Sequence, residues 1–494
     1  MRKKLLSLGI IVTMFSCTNN EPLQEVTTQE QKEVLTKTEI NNLIKESIQN
    51  NGDFYWNDQN PHTIWSALKH GNNILTIGYG NSKDDFARSN KSVSIKNSLL
   101  ELVNKLEKKS TKGTHELYSD EELNIIDLKI ENKETVSALL KHPRVRYIEP
   151  SDYSFVETGQ NTQARSSSGC GYRQHVLNGN DYRTVTPGAR VPWAFDAHNI
   201  SQAWSHSTGT GITIAVIDSG LSPDQKWMNQ YFNDGFSSGR TVQKYGNFVD
   251  SIWPWSDDYD GVDDKCGHGT NMAAIATAPR NNDNLPVGVA YNSNLVSYRS
   301  VEDVVINGYH EEKGVAKALK ALANRSDVKI ISMSLGSPFT INRVKDAIKY
   351  TYGKGKMILA AGGTSTSFTT WFGVIFPASM NETVAVTGVK EGKYETCDVC
   401  HSGSKIDFTL QMERTNGTSN KIPALSYYNG KANYVGGSSA ATAATAGIAA
   451  LVWAKHPSWS REQVLQKMRE SADFYPNKHS EFGYGNIDAL KAVQ

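Results

Sequence analysis

Ile212-Thr-Ile-Ala-Val-Ile217, followed at once by Asp218-Ser-Gly220, decides how the larger part of this chain folds. Six consecutive apolar or β-branched residues leave no polar face, so the segment reads as a strand buried on both sides. Val328-Lys-Ile-Ile-Ser-Met333, Met357 to Ala361 and Thr383-Val-Ala-Val-Thr387 repeat the pattern, and Gly314 to Ala323 and Arg343 to Tyr352 read as helices between them. Such strands alternating with helices predict a parallel sheet with helices on both faces, an α/β domain over residues 191–494. Sites in such sheets form beyond the carboxyl ends of the strands.

Upstream the pattern differs. Asn73 to Tyr79, Leu123 to Ile130 and Val145 to Ile148 read as strands, and Val93 to Lys108 and Glu134 to Leu140 as helices. This β-α-β-α-β series predicts a small α+β unit of ferredoxin-like type over residues 41–155. Residues 156–190 are rich in Gly, Ser, Thr, Gln and Asn with little periodicity, and read as a linker containing a processing site. Residues 17–40 are polar and read as a tether.

The first sixteen residues read as a signal. Arg2, Lys3 and Lys4 precede the apolar run Leu5 to Phe15, which is too short to span a bilayer. Ser16-Cys17 then resembles the end of a bacterial lipoprotein signal, with Cys17 as the lipidated residue and Met14 where Leu is usual. An ordinary secretory signal is the alternative. Either way the chain is expected to be exported, to the cell envelope or beyond. With 52 basic against 51 acidic residues and a net charge of +1, nothing points to a nucleic-acid partner. Export permits disulfides, and Cys170, Cys266, Cys397 and Cys400 allow three full pairings among which spacing does not choose. Cys397-x-x-Cys400 has no second pair at zinc spacing, so a structural role is expected.

Three short segments carry chemistry. Asp218 ends the buried strand, where a carboxylate is shielded yet reaches the sheet edge. His268 lies in Gly267-His-Gly-Thr270 ahead of the helical run Asn271 to Ala278. Ser439 lies in Gly436-Gly-Ser-Ser-Ala440, ahead of a helix of almost only small residues, Ala441 to Leu451. A serine there gains unpaired N–H groups and the positive end of the helix dipole. A serine hydroxyl needs a histidine to take its proton, and the histidine needs a carboxylate to fix its tautomer. Singly, these segments read as a turn, a tight loop and a packing helix; together and in this order they point to nucleophilic catalysis.

Asp218-Ser-Gly220, Gly267-His-Gly-Thr270 and Gly437-Ser-Ser-Ala-Ala-Thr-Ala-Ala-Thr-Ala-Gly447 resemble the three signatures of the subtilase family of serine proteases. The resemblance covers residues 190–494 and includes Val191-Pro-Trp193, Ser332 to Pro338, Phe376-Pro-Ala378, Cys400 to Phe408 and Gly483 to Asp488. Ile125 to Pro150 resembles the inhibitory propeptide that precedes subtilases. The resemblance implies a self-processed endopeptidase acting on proteins or peptides, with Asp218, His268 and Ser439 as the triad. Spacing back from Gly447 favours Ser439 over Ser438 as nucleophile. By the same resemblance Ser334, Leu335, Gly336, Ala360, Ala361 and Gly362 line the peptide cleft, and the own propeptide and a lipid-anchored membrane contact are the other partners.

The pattern breaks at one position. Ala360-Ala-Gly-Gly363 puts Gly363 where most subtilases have the asparagine of the oxyanion hole, leaving the Ser439 backbone N–H as the remaining donor. Thr364, Ser365 or Thr366 is a candidate replacement. The break also favours a rival, a catalytically impaired subtilase serving as a binding or scaffold protein. No cofactor is required. Asn282, Asp283 and Asn284 resemble a calcium loop, with an ordinary turn as the alternative. The acidic stretch Asp257 to Asp264 is read as a solvated loop, a calcium ligand set or a selector of basic substrates. Cys266 is expected to pair with Cys397 or Cys400, or to be a free thiol.

Overall fold

The computed structural model describes residues 33–83, 85, 89–108, 115–155, 170–363, 373–415 and 420–494. The signal, Cys17 and most of the tether lie outside the described residues, as do Thr364, Ser365 and Thr366.

The first element among the described residues is α1 (Lys37–Asn51), which starts inside the stretch read as tether. The Thr36 side chain accepts from the Glu39 N–H and the Glu39 carboxylate accepts from the Thr36 N–H, and this capping box starts a helix whose Ile40, Ile44 and Ile48 form one buried stripe. After α2 (Pro61–His70) come β1 (Ile74–Tyr79), α3 (Asn90–Leu106), β2 (Glu116–Asp120), β3 (Ile125–Lys129), α4 (Lys133–Leu140) and β4 (Val145–Glu149). The four strands form an antiparallel sheet in the order β2-β3-β1-β4. This is the β-α-β-β-α-β ferredoxin-like arrangement, with β2 the strand that the series read from sequence lacks. Its edge position leaves Glu-Leu-Tyr-Ser-Asp half exposed, without an apolar run to mark it.

A hairpin of β5 (Tyr182–Val185) and β6 (Ala189–Pro192) leads through the short helices α5 (Trp193–Ala197) and α6 (Ile200–Ala203) into the larger domain. Its elements are β7 (Thr213–Asp218), β8 (Val242–Gly246), α7 (His268–Thr277), β9 (Asn294–Arg299), α8 (Tyr309–Ala323), β10 (Val328–Met333), α9 (Asn342–Gly353), β11 (Met357–Ala361), β12 (Val384–Lys390) and β13 (Phe408–Glu413). A second hairpin, β14 (Ile422–Leu425) and β15 (Ala432–Val435), precedes α10 (Gly437–Lys455), α11 (Arg461–Glu470) and α12 (Ala489–Val493). The sheet order is β13-β12-β11-β10-β7-β9-β8, and every pairing is parallel. Ile214 and Val216 point into the layer holding α7 and α10, and Ala215 and Ile217 into that of α8 and α9. Burial on both faces is what the unbroken apolar run encodes. The chain reverses its direction of travel across the sheet beside β7, so the carboxyl ends of β7, β10 and β11 meet at a switch point.

α10 is the one described helix long and apolar enough to cross a membrane, and it is the core helix of this domain. Its small residues allow close approach: a Cβ added at Gly447 would stand 2.5 Å from Cβ of Val289.

Val34–Gln494 form one compact body. Leu123, Ile125 and Tyr147 of the small domain share a buried cluster with α8 and α9. Arg343 of α9 is buried against Asp127 of β3 in an ion pair and donates to the Thr76 hydroxyl at 2.8 Å. Tyr309 donates to the other Asp127 oxygen at 2.7 Å. Glu149 accepts from the Asn342 N–H and side-chain amide at 2.8 and 2.7 Å, so a carboxylate of the small domain caps the first turn of α9.

Candidate active site

Asp218 is the last residue of β7 and is buried. His268 is the first residue of α7, entered through Gly267 with φ of +89°. His268 Nδ1 lies 2.8 and 3.0 Å from the two Asp218 carboxylate oxygens. Nδ1 therefore carries the proton, and Nε2 is left with the lone pair that can accept one. Burial opposes the imidazolium, but the charge and hydrogen bond of Asp218, with Asp264 and Asp303 adding, hold the His268 pKa above its ordinary value.

Asp264 has a role that the sequence does not reveal. It is fully buried, and its carboxylate accepts from the Ser219 hydroxyl at 2.9 Å, the Cys266 N–H at 2.8 Å, the Gly267 N–H at 2.7 Å, and the Thr270 N–H and hydroxyl at 2.9 and 2.6 Å. It ties the end of β7 to the turn that presents His268. An Asp shortly before a helix with a Thr in its first turn is the available sequence signal. The rest of the acidic stretch is largely paired: Asp257 with Lys313, Asp260 with Lys265 and Arg299, Asp263 with Lys244.

Ser439 is in the first turn of α10, where its N–H has no helical partner. The neighbouring Ser438 hydroxyl donates to the Gly363 C=O at 2.7 Å. The Ser439 hydroxyl makes no hydrogen bond among the described residues, and its C=O accepts from the Ser334 hydroxyl at 3.1 Å. Of the two serines, Ser439 is thus the one with an uncommitted oxygen. The imidazole is thus oriented by its carboxylate, and the Ser439 hydroxyl sits at a helix N-terminus, but among the described residues no hydrogen bond joins the two.

Ser334, Leu335 and Gly336 follow β10, Ala360 and Ala361 close β11, and Gly362 follows it. Gly336 already has main-chain partners: its N–H donates to the Val304 C=O at 3.0 Å and its C=O accepts from the Ile306 N–H at 2.9 Å.

Cys266 pairs with Cys170, and Cys397 with Cys400. This overturns both the expected pairing of Cys266 with Cys397 or Cys400 and the free-thiol alternative. The bridge fastens residues inside the stretch read as linker onto the His268 turn, where the Gly171 N–H donates to the Cys266 C=O and Tyr172 donates to the Lys265 C=O, so the part of that stretch from Cys170 onward is packed on the peptidase domain. At the calcium candidates, Asp283 accepts from the Leu285 N–H and the Asn284 side-chain oxygen accepts from the Arg190 guanidinium at 3.0 Å. Among the described residues no group of three acidic, His or Cys side chains is placed to hold a metal.

A family model described as the subtilase family matches residues 209–485, more than half of the chain. Among curated proteins, Subtilisin of Bacillus sp. (strain TA39) is 28% identical over 307 residues, covering 59% of this chain and 68% of that protein. Subtilisin E of Bacillus subtilis (strain 168) is 27% identical over 290 residues, covering 58% and 67%. Among solved structures, fervidolysin from Fervidobacterium pennivorans, a keratinolytic enzyme related to subtilisin, superposes with a TM-score of 0.58 at 18% identity, covering 85% of this chain and 61% of that one.

Proposed function

The chain belongs to the subtilase family of subtilisin-like serine proteases, and from that premise we propose that it is an exported endopeptidase using Asp218, His268 and Ser439, made as a precursor that cuts itself. The observation that carries this is the double contact of His268 Nδ1 with the Asp218 carboxylate. His268 Nε2 takes the Ser439 proton as the hydroxyl attacks a peptide carbonyl, and Asp218 stabilises the imidazolium. The proton then passes to the leaving amine, and water repeats the sequence on the acyl-enzyme. The Ser439 N–H faces the developing oxyanion. Substrate runs as an extended strand along Ser334 to Gly336 and Ala360 to Gly362; at Gly336 it displaces the segment Val304 to Ile306.

The small domain acts as the propeptide. Its tail leads toward the cleft edge, with Phe155 against Phe339 and the Ser154 hydroxyl donating to Asn307 at 3.1 Å. The lipid on Cys17 would hold the precursor at the membrane, and cleavage after residue 155 would separate the peptidase from that anchor. Gly363 favours a second reading, a binding protein on a disabled peptidase scaffold.

Expression of the full chain as wild type and as Ser439→Ala separates the two. Cleavage between Phe155 and Arg190, mapped by mass in the wild type only, is the expected result. An uncut wild type, or equal cutting of both, overturns self-processing.

A further inference from the structure

Residue 363 lacks the side chain that most subtilases aim at the oxyanion, and another part of the chain fills its place. Gly363 has a φ of +134°, and a Cβ added to it would overlap the imidazole of His401, with Nδ1 the nearest atom. The ring occupies the volume that an asparagine side chain would enter. It is fixed from three directions: the His401 N–H donates to the Gly363 C=O at 3.2 Å, the His401 C=O accepts from the Thr387 hydroxyl at 2.6 Å, and Nδ1 lies 2.9 Å from the Gly373 C=O. The Gly363 C=O also accepts from the Ser438 hydroxyl, so His401, this carbonyl and the residue before Ser439 form one bonded unit. His401 is only 5% exposed, and its Nε2 is buried with no hydrogen-bond partner among the described residues. A buried polar atom left unpaired is costly and calls for a reason.

We propose that His401 supplies the side-chain oxyanion donor that residue 363 cannot, with Nε2–H as the donor and Nδ1 fixed on Gly373. The proposal rests on the peptidase reading above. A carbonyl only accepts, so Nδ1 carries a hydrogen, and only the imidazolium also has one on Nε2. No proton leaves His401: it donates a hydrogen bond as the substrate carbonyl becomes an oxyanion, and the bond weakens again when the carbonyl reforms. Gly363, Thr387, Gly373 and Ser438 around the ring are uncharged, and the titrating groups of the same site are Asp218 and His268. Burial pushes the His401 pKa down, whereas His268 is held up. The active form needs His401 charged and His268 neutral, the reverse of what each prefers. It is a minority at every pH, and kcat/KM follows a bell peaking between the two values.

Kinetics of the full chain after self-processing, on a peptide substrate across pH, test this. His401→Ala is expected to lower kcat about a hundredfold, as loss of one oxyanion donor does, with KM moved less than about twofold. His401→Gln keeps a neutral donor and turns the bell into a single rise to a plateau. Gly363→Asn alone collides with the ring and loses activity. Gly363→Asn combined with His401→Gly recovers at least wild-type kcat, again with a single rise. This double variant keeps the test sharp should His401→Ala misfold. A bell that persists in His401→Gln, or full activity in His401→Ala, overturns the role of His401 alone. Absence of hydrolysis from wild type and variants alike overturns the peptidase reading with it.

Discussion

Raising pH should loosen the small domain from the peptidase domain, and two carboxyl groups set by how much. Glu149 of β4 and Glu312 of α8 are buried and line the same cavity at the boundary, and each has one oxygen, Oε2, without a partner among the described residues. Facing them are Arg343 of α9, already paired with Asp127 of β3, and the uncharged Asn342 and Ser151. Burial pushes Glu149 up from 4.5 to about 7, and burial with the neighbouring Glu149 charge lifts Glu312 well above its ordinary value. The docked state thus holds a proton that the separated domains release. Below about pH 4.5 both states are protonated and docking is at full strength. Between 4.5 and 7 the separated state ionises first, and docking weakens by about 1.4 kcal/mol per pH unit. By pH 8 the loss from Glu149 alone reaches about 3–4 kcal/mol, roughly 300-fold in the docking equilibrium. Hydrogen exchange of the full chain carrying Ser439→Ala reads this directly. The Asn342 amide, which donates to Glu149, should lose protection from pH 5 to 8 after correction for intrinsic exchange. Adding Glu149→Gln, whose amide oxygen can still accept from the Asn342 N–H, should reduce that fall. Equal protection at both pH values, or the same fall in Glu149→Gln, would refute the reasoning.

Arg343→Met leaves Asp127 buried without its counter-ion, and should weaken docking by about 3–5 kcal/mol, read as a lower urea midpoint for the small domain. Asp264→Asn removes the charge that five donors converge on; a loss of about 2–3 kcal/mol in thermal unfolding is expected, with kcat/KM falling through misplacement of His268. Phe155 and Cys170 anchor the two ends of the intervening segment, so the processing cut is expected within 156–169. The small domain should then come free without reductant, while residues from Cys170 onward remain on the His268 turn; release only after reduction would move the cut beyond Cys170.

The sheet was legible because burial on both faces writes itself into sequence. β7, β10, β11 and β12 have runs with no polar face, and their carboxyl ends carry Asp218 and the segments around Ser334 and Gly362. β8 and β2 carry no such run because edge strands keep exposed polar residues, and β9 and β13 carry none because Asn, Ser, Arg, Thr, Gln and Glu are mixed into their mostly buried stretches. The two disulfides show the other limit. Cys170 and Cys266 are 96 residues apart, and only the path of the chain around the His268 turn brings them together. Adjacency in sequence singles out Thr364 to Thr366 beside Gly363, and these lie outside the described residues. The imidazole that fills the place comes from after β12, brought there by the pairing of β11 with β12.

That origin constrains how the site can be altered. One carbonyl, that of Gly363, accepts from the His401 N–H and from the Ser438 hydroxyl. A change at 363 therefore moves both the ring and the first turn of α10, where the nucleophile and its N–H sit. Groups that share a partner in this way do not contribute additively. The asparagine found in most subtilases cannot be restored by one substitution, because its Cβ meets His401 before its amide reaches the oxyanion. Removing the ring first leaves Gly363 with nothing to offer. Each single step lowers activity and only the pair recovers it, so glycine at 363 and histidine at 401 are one feature of the site. The glycine that looks like a lost donor is the space the replacement donor needs.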